Sequence, residues 1–238
     1  MASALILAAG KATRLEGLRD TYAKANVPVG GTTPLRFLLE ALGTTFSDVW
    51  INLHFKGEQV REEAERYAAK GVRLHFLEEE PLLGTGGTLL EMMRRHGGLP
   101  EVLVNAKMFT DFDFASMLLA TPGTLVLHSN SDLQTFGGLN YDPKHCIQGL
   151  CTRSAAPSAG CTAAVFTGIC KPSPAWMPYL QHARQENSKE VLCLIRHGLL
   201  PALEDLPHHA TAQIHTGTWC EISTPERVEA AAKQLACR

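Results

Sequence analysis

The sequence predicts a Rossmann-like α/β fold, with a mostly parallel sheet sandwiched by helices, and three observations carry that expectation. Ala4-Leu-Ile-Leu-Ala8 is a continuous apolar run near the start, as expected of a parallel strand covered on both faces. Short apolar runs then alternate with helical patterns as far as Val104, which implies βαβ units with right-handed crossovers. From about Leu125 short strand-like pieces are separated by Gly, Pro and Ser. These read as antiparallel strands added to the same sheet, so one domain is expected over 1–238.

In chain order, strand one is followed by a loop holding Gly10, Pro28, Gly30 and Gly31. Thr33-Pro34 opens a helix through about Leu42, because threonine caps and proline fits the first helical position. Val49–Leu53 is a second strand, Gly57–Lys70 a charged helix and Val72–Leu77 an alternating strand. Gly86–Arg95 is helical, and Val102–Val104 is the next strand. Further strands are expected at Leu125–His128, Leu139–Asp142 and Ala163–Thr167, with helices near Trp176–Glu186 and Lys189–Asp205. Thr211–Ile214 and Thr218–Ile222 are final strands, and Thr224 caps a closing helix, Pro225–Leu235.

The 238 residues have 45% apolar and 19% charged content, ordinary for a globular protein able to bury a substantial core. A formal net charge of -2 offers no general basic surface, so no nucleic-acid partner is expected. The run Ala4–Ala9 is too short to span a bilayer and lacks a basic flank, so neither a membrane nor a signal peptide is expected. Seven cysteines at loose spacing, with no C-x-x-C, signal neither zinc nor a disulfide framework; a reducing cytoplasm is the expected compartment.

Two stretches carry chemistry. "LILAAGKATRL" puts small residues and two cations, Lys11 and Arg14, directly after strand one. Small residues let a ligand approach the backbone, and exposed amides can cradle phosphate. Arginine grips phosphate bidentately. The spacing is neither a P-loop nor G-x-G-x-x-G, and an ordinary βα turn with a solvated basic face is the plain alternative. A nicotinamide or flavin site would need an acid at the end of strand two, where Asn52-Leu53-His54 stands. The other stretch is "VLVNAKMFTDFDF", which ends a strand with Lys107, at the edge where open α/β sheets bind ligands.

"LILAAGKATRL" resembles the L-A-A-G-x-G-x-R-[LM] signature of sugar-1-phosphate nucleotidyltransferases. "TYAKANVPVGGTTPL" is similar to the family's lysine segment and puts Lys24 at the lysine. "EEEPLLGTGGTLL" resembles its nucleotide loop, "LVNAKMFTDFDF" its L-V-N-G-D segment, and "GTWCEISTPERV" its G-x-W-x-D-V-G-T-P-E-R-L segment. The matches keep the family's order and agree best with the short branch typified by N-acetylmuramate 1-phosphate uridylyltransferase.

The resemblance implies a GT-A-like nucleotidyltransferase fold and an enzyme that joins a nucleoside triphosphate to a sugar 1-phosphate. It also implies roles. The backbone of Ala8, Ala9, Gly10 and Lys11, with Thr85, Gly86 and Gly87, would line the nucleotide. Arg14 would neutralise the β and γ phosphates, and Lys24 would meet the α-phosphate and the sugar phosphate. Asn52 and Asn105 would bond sugar hydroxyls, or instead cap strand ends. Gly86-Gly87 has the alternative of close helix packing. Asp111 would reach the site, while Asp113 reads as a helix cap. His208-His209 read as surface residues.

The family holds Mg²⁺ on two aspartates. Here Lys107 stands at the first position and Glu221 at the second, while Ala106 and Ala12 replace glycines. Mg²⁺ wants hard oxygen ligands; Glu221 can ligate, and a protonated lysine cannot. Ala12 would add a β-carbon where phosphate approaches. Lys107 is then expected to supply part of the metal's charge by pairing with phosphate or with Glu221. The alternative is a catalytically impaired relative that binds a nucleotide or sugar nucleotide as a regulatory or partner subunit.

Overall fold

A computed structural model describes residues 2–129, 131–188 and 191–236. They fall into two compact units, one of residues up to Leu82, Val104–Leu118 and Gly217 onward, the other of Leu83–Leu103 and Leu119–Thr216.

The first unit is built on parallel strands β1 (Ser3–Leu7), β2 (Asp48–Leu53) and β3 (Arg73–Glu78). β1 pairs with β2 and β2 with β3, with Leu7 beside Asn52 and Asn52 beside Leu77. All six residues of β2 are buried, and its middle, Val49-Trp50-Ile51, reads as an apolar run rather than an alternation. Between β1 and β2 lie the short helix α1 (Leu18–Thr21), a 3₁₀ turn at Lys24–Asn26 and α2 (Pro34–Leu42). The predicted cap is present: Thr33 Oγ1 accepts from the Arg36 amide, and Pro34 takes the first helical position. Helix α3 (Gly57–Tyr67) precedes β3.

Helix α4 (Gly84–His96) belongs to the second unit, and β4 (Val102–Asn105) spans the boundary between the units in sequence. A three-residue strand, β5 (Met108–Thr110), follows in the first unit. It pairs antiparallel with β11 (Trp219–Glu221), just before the closing helix α9 (Pro225–Ala236). The expected cap at Asp113 is also present, its Oδ1 accepting from the Ala115 amide ahead of α5 (Ser116–Leu119).

In the second unit, β6 (Thr124–His128) lies between β10 (Thr211–His215), parallel to it, and β9 (Thr162–Cys170), antiparallel. The one-turn helix α6 (Leu133–Phe136) leads into β7 (Gly138–Tyr141), which pairs antiparallel with β8 (Ile147–Cys151) and with β9. The late antiparallel strands expected from the sequence are therefore present. Helix α7 (Met177–Glu186) follows a 3₁₀ turn. The helix expected at Lys189–Asp205 is instead a π-helical stretch, Leu194–Leu199, leading into α8 (Leu200–Asp205); residues 189 and 190 lie outside the described ones. His197 Nδ1 accepts from the Cys193 amide and so closes the wide turn at its start. His209 is not the plain surface residue expected. It is half-buried, and its Nε2 accepts from the indole of fully buried Trp176. Among the described residues, no helix is long and apolar enough to cross a membrane.

Candidate active site

The first unit collects most of the residues singled out from the sequence. The loop after β1 is held from below by Asn52, whose Oδ1 accepts from the Ala8 amide at 2.6 Å and the Ala9 amide at 3.1 Å. Its Nδ2 donates to Glu79 at 2.9 Å. The parallel register makes this bond natural, because Asn52, next to last in β2, lies level with the last residue of β1. Of the two roles expected for Asn52, strand-end capping is the one its side chain performs. The Ala8 and Ala9 amides are taken, so backbone open to a ligand begins at Gly10. Gly10 is exposed, with open space where a β-carbon would sit.

Beyond Gly10 the chain turns at Ala12, whose φ of 54° is left-handed and favours glycine. Such a conformation costs an alanine roughly 1–2 kcal/mol. Ala12 is 6% exposed. It is buried in an apolar cluster with Leu15, Val27, Val29, Phe109 and Ile222. That contact offsets part of the strain. Arg14 and Lys11 stay exposed, and the Lys11 carbonyl accepts from Arg19.

Lys107 and Glu221 meet because β5 and β11 form a ladder in which Glu221 lies opposite Met108. The chain leaves β4 through a tight turn in which the Lys107 amide donates to the Asn105 carbonyl. The Ala106 amide donates to Leu7 at the end of β1, and the Lys107 carbonyl accepts from Ile222. The two side chains then face each other, with Lys107 Nζ 3.1 Å from Glu221 Oε1. The glutamate is 3% exposed and the lysine 32%.

Ser223 Oγ also donates to Glu221 Oε1, while Oε2 accepts from Arg227 at 2.6 Å and from the Ser223 amide at 3.1 Å. Lys24 joins through the serine, its Nζ donating to Ser223 Oγ at 2.7 Å. The turn that carries Lys24 is pinned to α3. Gln59 Oε1 accepts from the Ala23 amide, and the Gln59 carbonyl accepts from Asn26 Nδ2. The result is a chain Lys24–Ser223–Glu221–Lys107, flanked by Arg227.

Electrostatics follow from this crowding. Burial, then the Lys107 charge, pull Lys24 from its usual 10.5 down to about 8, with Arg14 and Arg227 adding and Glu221 opposing. For Glu221, burial disfavours the carboxylate, but Lys107 and Lys24, with Arg227, outweigh it and hold the group below its usual value. Asp111 is spent on the fold: its Oδ1 accepts from the Thr218 amide at 2.7 Å, tying β5 to the start of β11. Asn105 is half-buried at the end of β4.

Thr85, Gly86 and Gly87 lie in the second unit at the start of α4. Thr85 Oγ1 accepts from the Leu194 amide, and the Gly86 amide donates to Leu192. A β-carbon at Gly86 would come within 2.6 Å of Leu180, and one at Gly87 within 2.7 Å of Arg184. Close packing accounts for both glycines. The same unit brings donor atoms of Asp142, Cys146 and His208 within 4.8 Å of one another. A thiol and an imidazole make this a poor magnesium set, and Asp142 already accepts two backbone amides.

Ser223 and Arg227 were not among the residues marked in the sequence. The available signals were Ser223, standing where the family's D-V-G-T segment has glycine, and Arg227, matching the arginine of the same segment.

A family profile describing the MobA-like NTP transferase domain matches residues 4–106. The chain is 26% identical over 232 residues to N-acetylmuramate alpha-1-phosphate uridylyltransferase of Neisseria meningitidis, covering 96% of both. It is 26% identical over 146 residues to D-glycero-alpha-D-manno-heptose 1-phosphate guanylyltransferase of Campylobacter jejuni, covering 60% of this chain and 65% of the relative. Its fold superposes on CTP:phosphocholine cytidylyltransferase from Streptococcus pneumoniae with a TM-score of 0.73, at 17% identity, over 99% of this chain and all of that one. The α/β architecture with its mostly parallel sheet is thus the fold of solved nucleotidyltransferases, and the chain is similar in sequence to sugar-phosphate nucleotidyltransferases.

Proposed function

We propose that this protein joins a nucleoside triphosphate to a sugar 1-phosphate, giving a nucleotide sugar and pyrophosphate. The observation that carries this reading is the lysine pair: Lys24, depressed to about 8, and Lys107, linked through Ser223 and Glu221. Such a concentration of positive charge suits a reaction between two anions, where catalysis is positioning and charge stabilisation. A sugar phosphate oxygen supplies the electron pair for a new bond to the α-phosphorus. The bond from that phosphorus to the bridging oxygen breaks, and its pair leaves with pyrophosphate. The attacking phosphate is already deprotonated, so no side chain must accept a proton.

In this reading Gly10 and Lys11 offer backbone to the nucleotide, Arg14 steadies the departing pyrophosphate, and Lys24 holds the α-phosphate and the sugar phosphate. Asn105 is the remaining candidate for a sugar hydroxyl. The residues at the family's metal position do not fit Mg²⁺. Both oxygens of Glu221 are engaged by Lys107, Ser223 and Arg227, and an ammonium sits beside it.

The uridylyltransferase likeness makes UTP with N-acetylmuramate 1-phosphate the first substrate pair to try. Pyrophosphate release from a panel of nucleoside triphosphates and sugar 1-phosphates tests the proposal. One pair should turn over, with Lys24→Ala at least about a hundredfold slower, the scale of a lost charge-stabilising contact. Nucleotide binding without any turnover would instead favour the regulatory or partner-subunit reading.

A further inference from the structure

We infer that Lys107, together with Lys24 and Arg227, is a built-in substitute for the divalent cation, so that nucleotide binding and transfer need no metal. The inference rests on the nucleotidyl-transfer reading above and concerns how that same site handles charge.

Three cations surround one carboxylate here: Lys24, Lys107 and Arg227 against Glu221. The excess is two positive charges, the formal charge of a divalent ion. Glu221 is also poorly placed to be a ligand. It lies 3% exposed beneath Lys107 and accepts from Ser223 twice and from Arg227. Freeing an oxygen for a metal would mean breaking charge-assisted bonds and bringing a dication beside an ammonium 3.1 Å from that oxygen.

Lys107, by contrast, has capacity left. An ammonium offers three N–H groups, Lys107 directs one at Glu221, and a third of the side chain meets solvent. Glu221 therefore acts as the tether that orients the lysine, and Lys107 presents the charge to phosphate. A purely structural ion pair would have no reason to carry a surplus of cations. It would also leave metal dependence untouched when broken, and that difference makes the two roles separable.

The test is calorimetric binding of UTP, CTP, GTP, ATP and dTTP to the intact protein, in excess EDTA and in Mg²⁺. Mn²⁺ titration followed by electron paramagnetic resonance runs in parallel. The wild type should bind its nucleotide in EDTA within about threefold of the affinity in Mg²⁺, and should not bind Mn²⁺ at this site. Lys107→Asp, which places two carboxylates side by side, should bind Mn²⁺ and lose at least about tenfold in nucleotide affinity in EDTA, recovering in Mg²⁺. Should that variant not fold, Lys107→Gln must show the tenfold loss in EDTA without gaining Mn²⁺ binding.

A wild type that binds nucleotide only with Mg²⁺ overturns the inference and leaves the nucleotidyl-transfer reading standing. So does a Lys107→Asp or Lys107→Gln variant indifferent to EDTA. Binding of no nucleotide under either condition overturns both.

Discussion

Replacing Lys24 by methionine should make the protein more stable at neutral pH while destroying its activity. The Lys24 ammonium is held near 8 instead of 10.5, chiefly by burial and then by Lys107. That difference corresponds to roughly 3 kcal/mol against the charged form. The sign follows from linkage. Between about pH 8 and 10.5 the unfolded chain binds the proton and the folded chain does not, so stability rises with pH across that window; below pH 8 the penalty is present in full. Methionine keeps most of the length of the side chain, one atom short, without its charge. It gives up the bond to Ser223 Oγ, worth about 1 kcal/mol, and water at the partly exposed site reduces the penalty removed. The net gain at pH 7 is about 1–2 kcal/mol, a rise of roughly 2–8 °C in melting temperature for a chain of this size. Urea unfolding at pH 7 and at pH 10.5 measures it. The gain should vanish or reverse at the higher pH, where wild-type Lys24 is neutral. A variant less stable than wild type at pH 7, or one with the same gain at both pH values, would refute the reasoning.

Other expectations rest on separate contacts. Asp48 accepts from Arg73 at 2.6 and 2.9 Å and pairs with His75, so its carboxyl lies well below the usual range, Arg73 being the main cause. Its contribution is present above the usual carboxylate value and lost as pH falls. Asp48→Asn should cost about 2 kcal/mol in urea unfolding at pH 7, with the gap closing in acid. Asn52→Ala leaves the buried Ala8 and Ala9 amides unbonded and should cost about 2–4 kcal/mol by thermal or urea unfolding; less than about 1 would mean the loop does not depend on it. Gly10→Ala meets open space, so stability should move by less than about 0.5 kcal/mol. Nucleotide affinity by calorimetry should nevertheless fall about tenfold if phosphates lie along that backbone. Gly86→Ala brings a β-carbon to 2.6 Å from Leu180 and 3.3 Å from the Leu192 carbonyl, and should lose about 1–2 kcal/mol despite alanine's better helix propensity.

What was legible in the sequence was local. Thr33-Pro34 announces α2 because cap and first turn lie within four residues, and β2 announces itself because all of it is buried. β5 was not foreseen. It has three residues, only two residues separate it from β4, and its partner β11 lies more than a hundred residues away. β8 hid because Gly149 interrupts its pattern with a φ of 137°. The site shows the same division. The motifs placed Lys24, Lys107 and Glu221 one by one, but the link between Lys24 and Ser223 spans 199 positions and depends on the β5–β11 ladder. Arg227 reaches Glu221 because the chain folds from a strand end into α9, a geometry no helical or strand period encodes. Gly86-Gly87 read equally well as a ligand loop or a packing site, since both demand the absence of a side chain; only the positions of Leu180 and Arg184 weigh toward packing.

The surplus of positive charge is the feature hardest to explain by folding alone. A buried ion pair contributes little to stability even when balanced, and this one carries two cations beyond its single carboxylate in a chain whose net charge is -2. Lys24 is disfavoured in its charged form there, so the cluster works against the folded state until something negative arrives. The cations are not loose surface lysines that found each other. Lys24 is pinned through Gln59, and Lys107 is aimed by Glu221. Preorganised charge of this kind is what stabilises an anionic transition state, because the work of gathering like charges has been done before the substrate binds. A phosphate would relieve the repulsion that folding created, and in this the arrangement supports the anionic ligand proposed above.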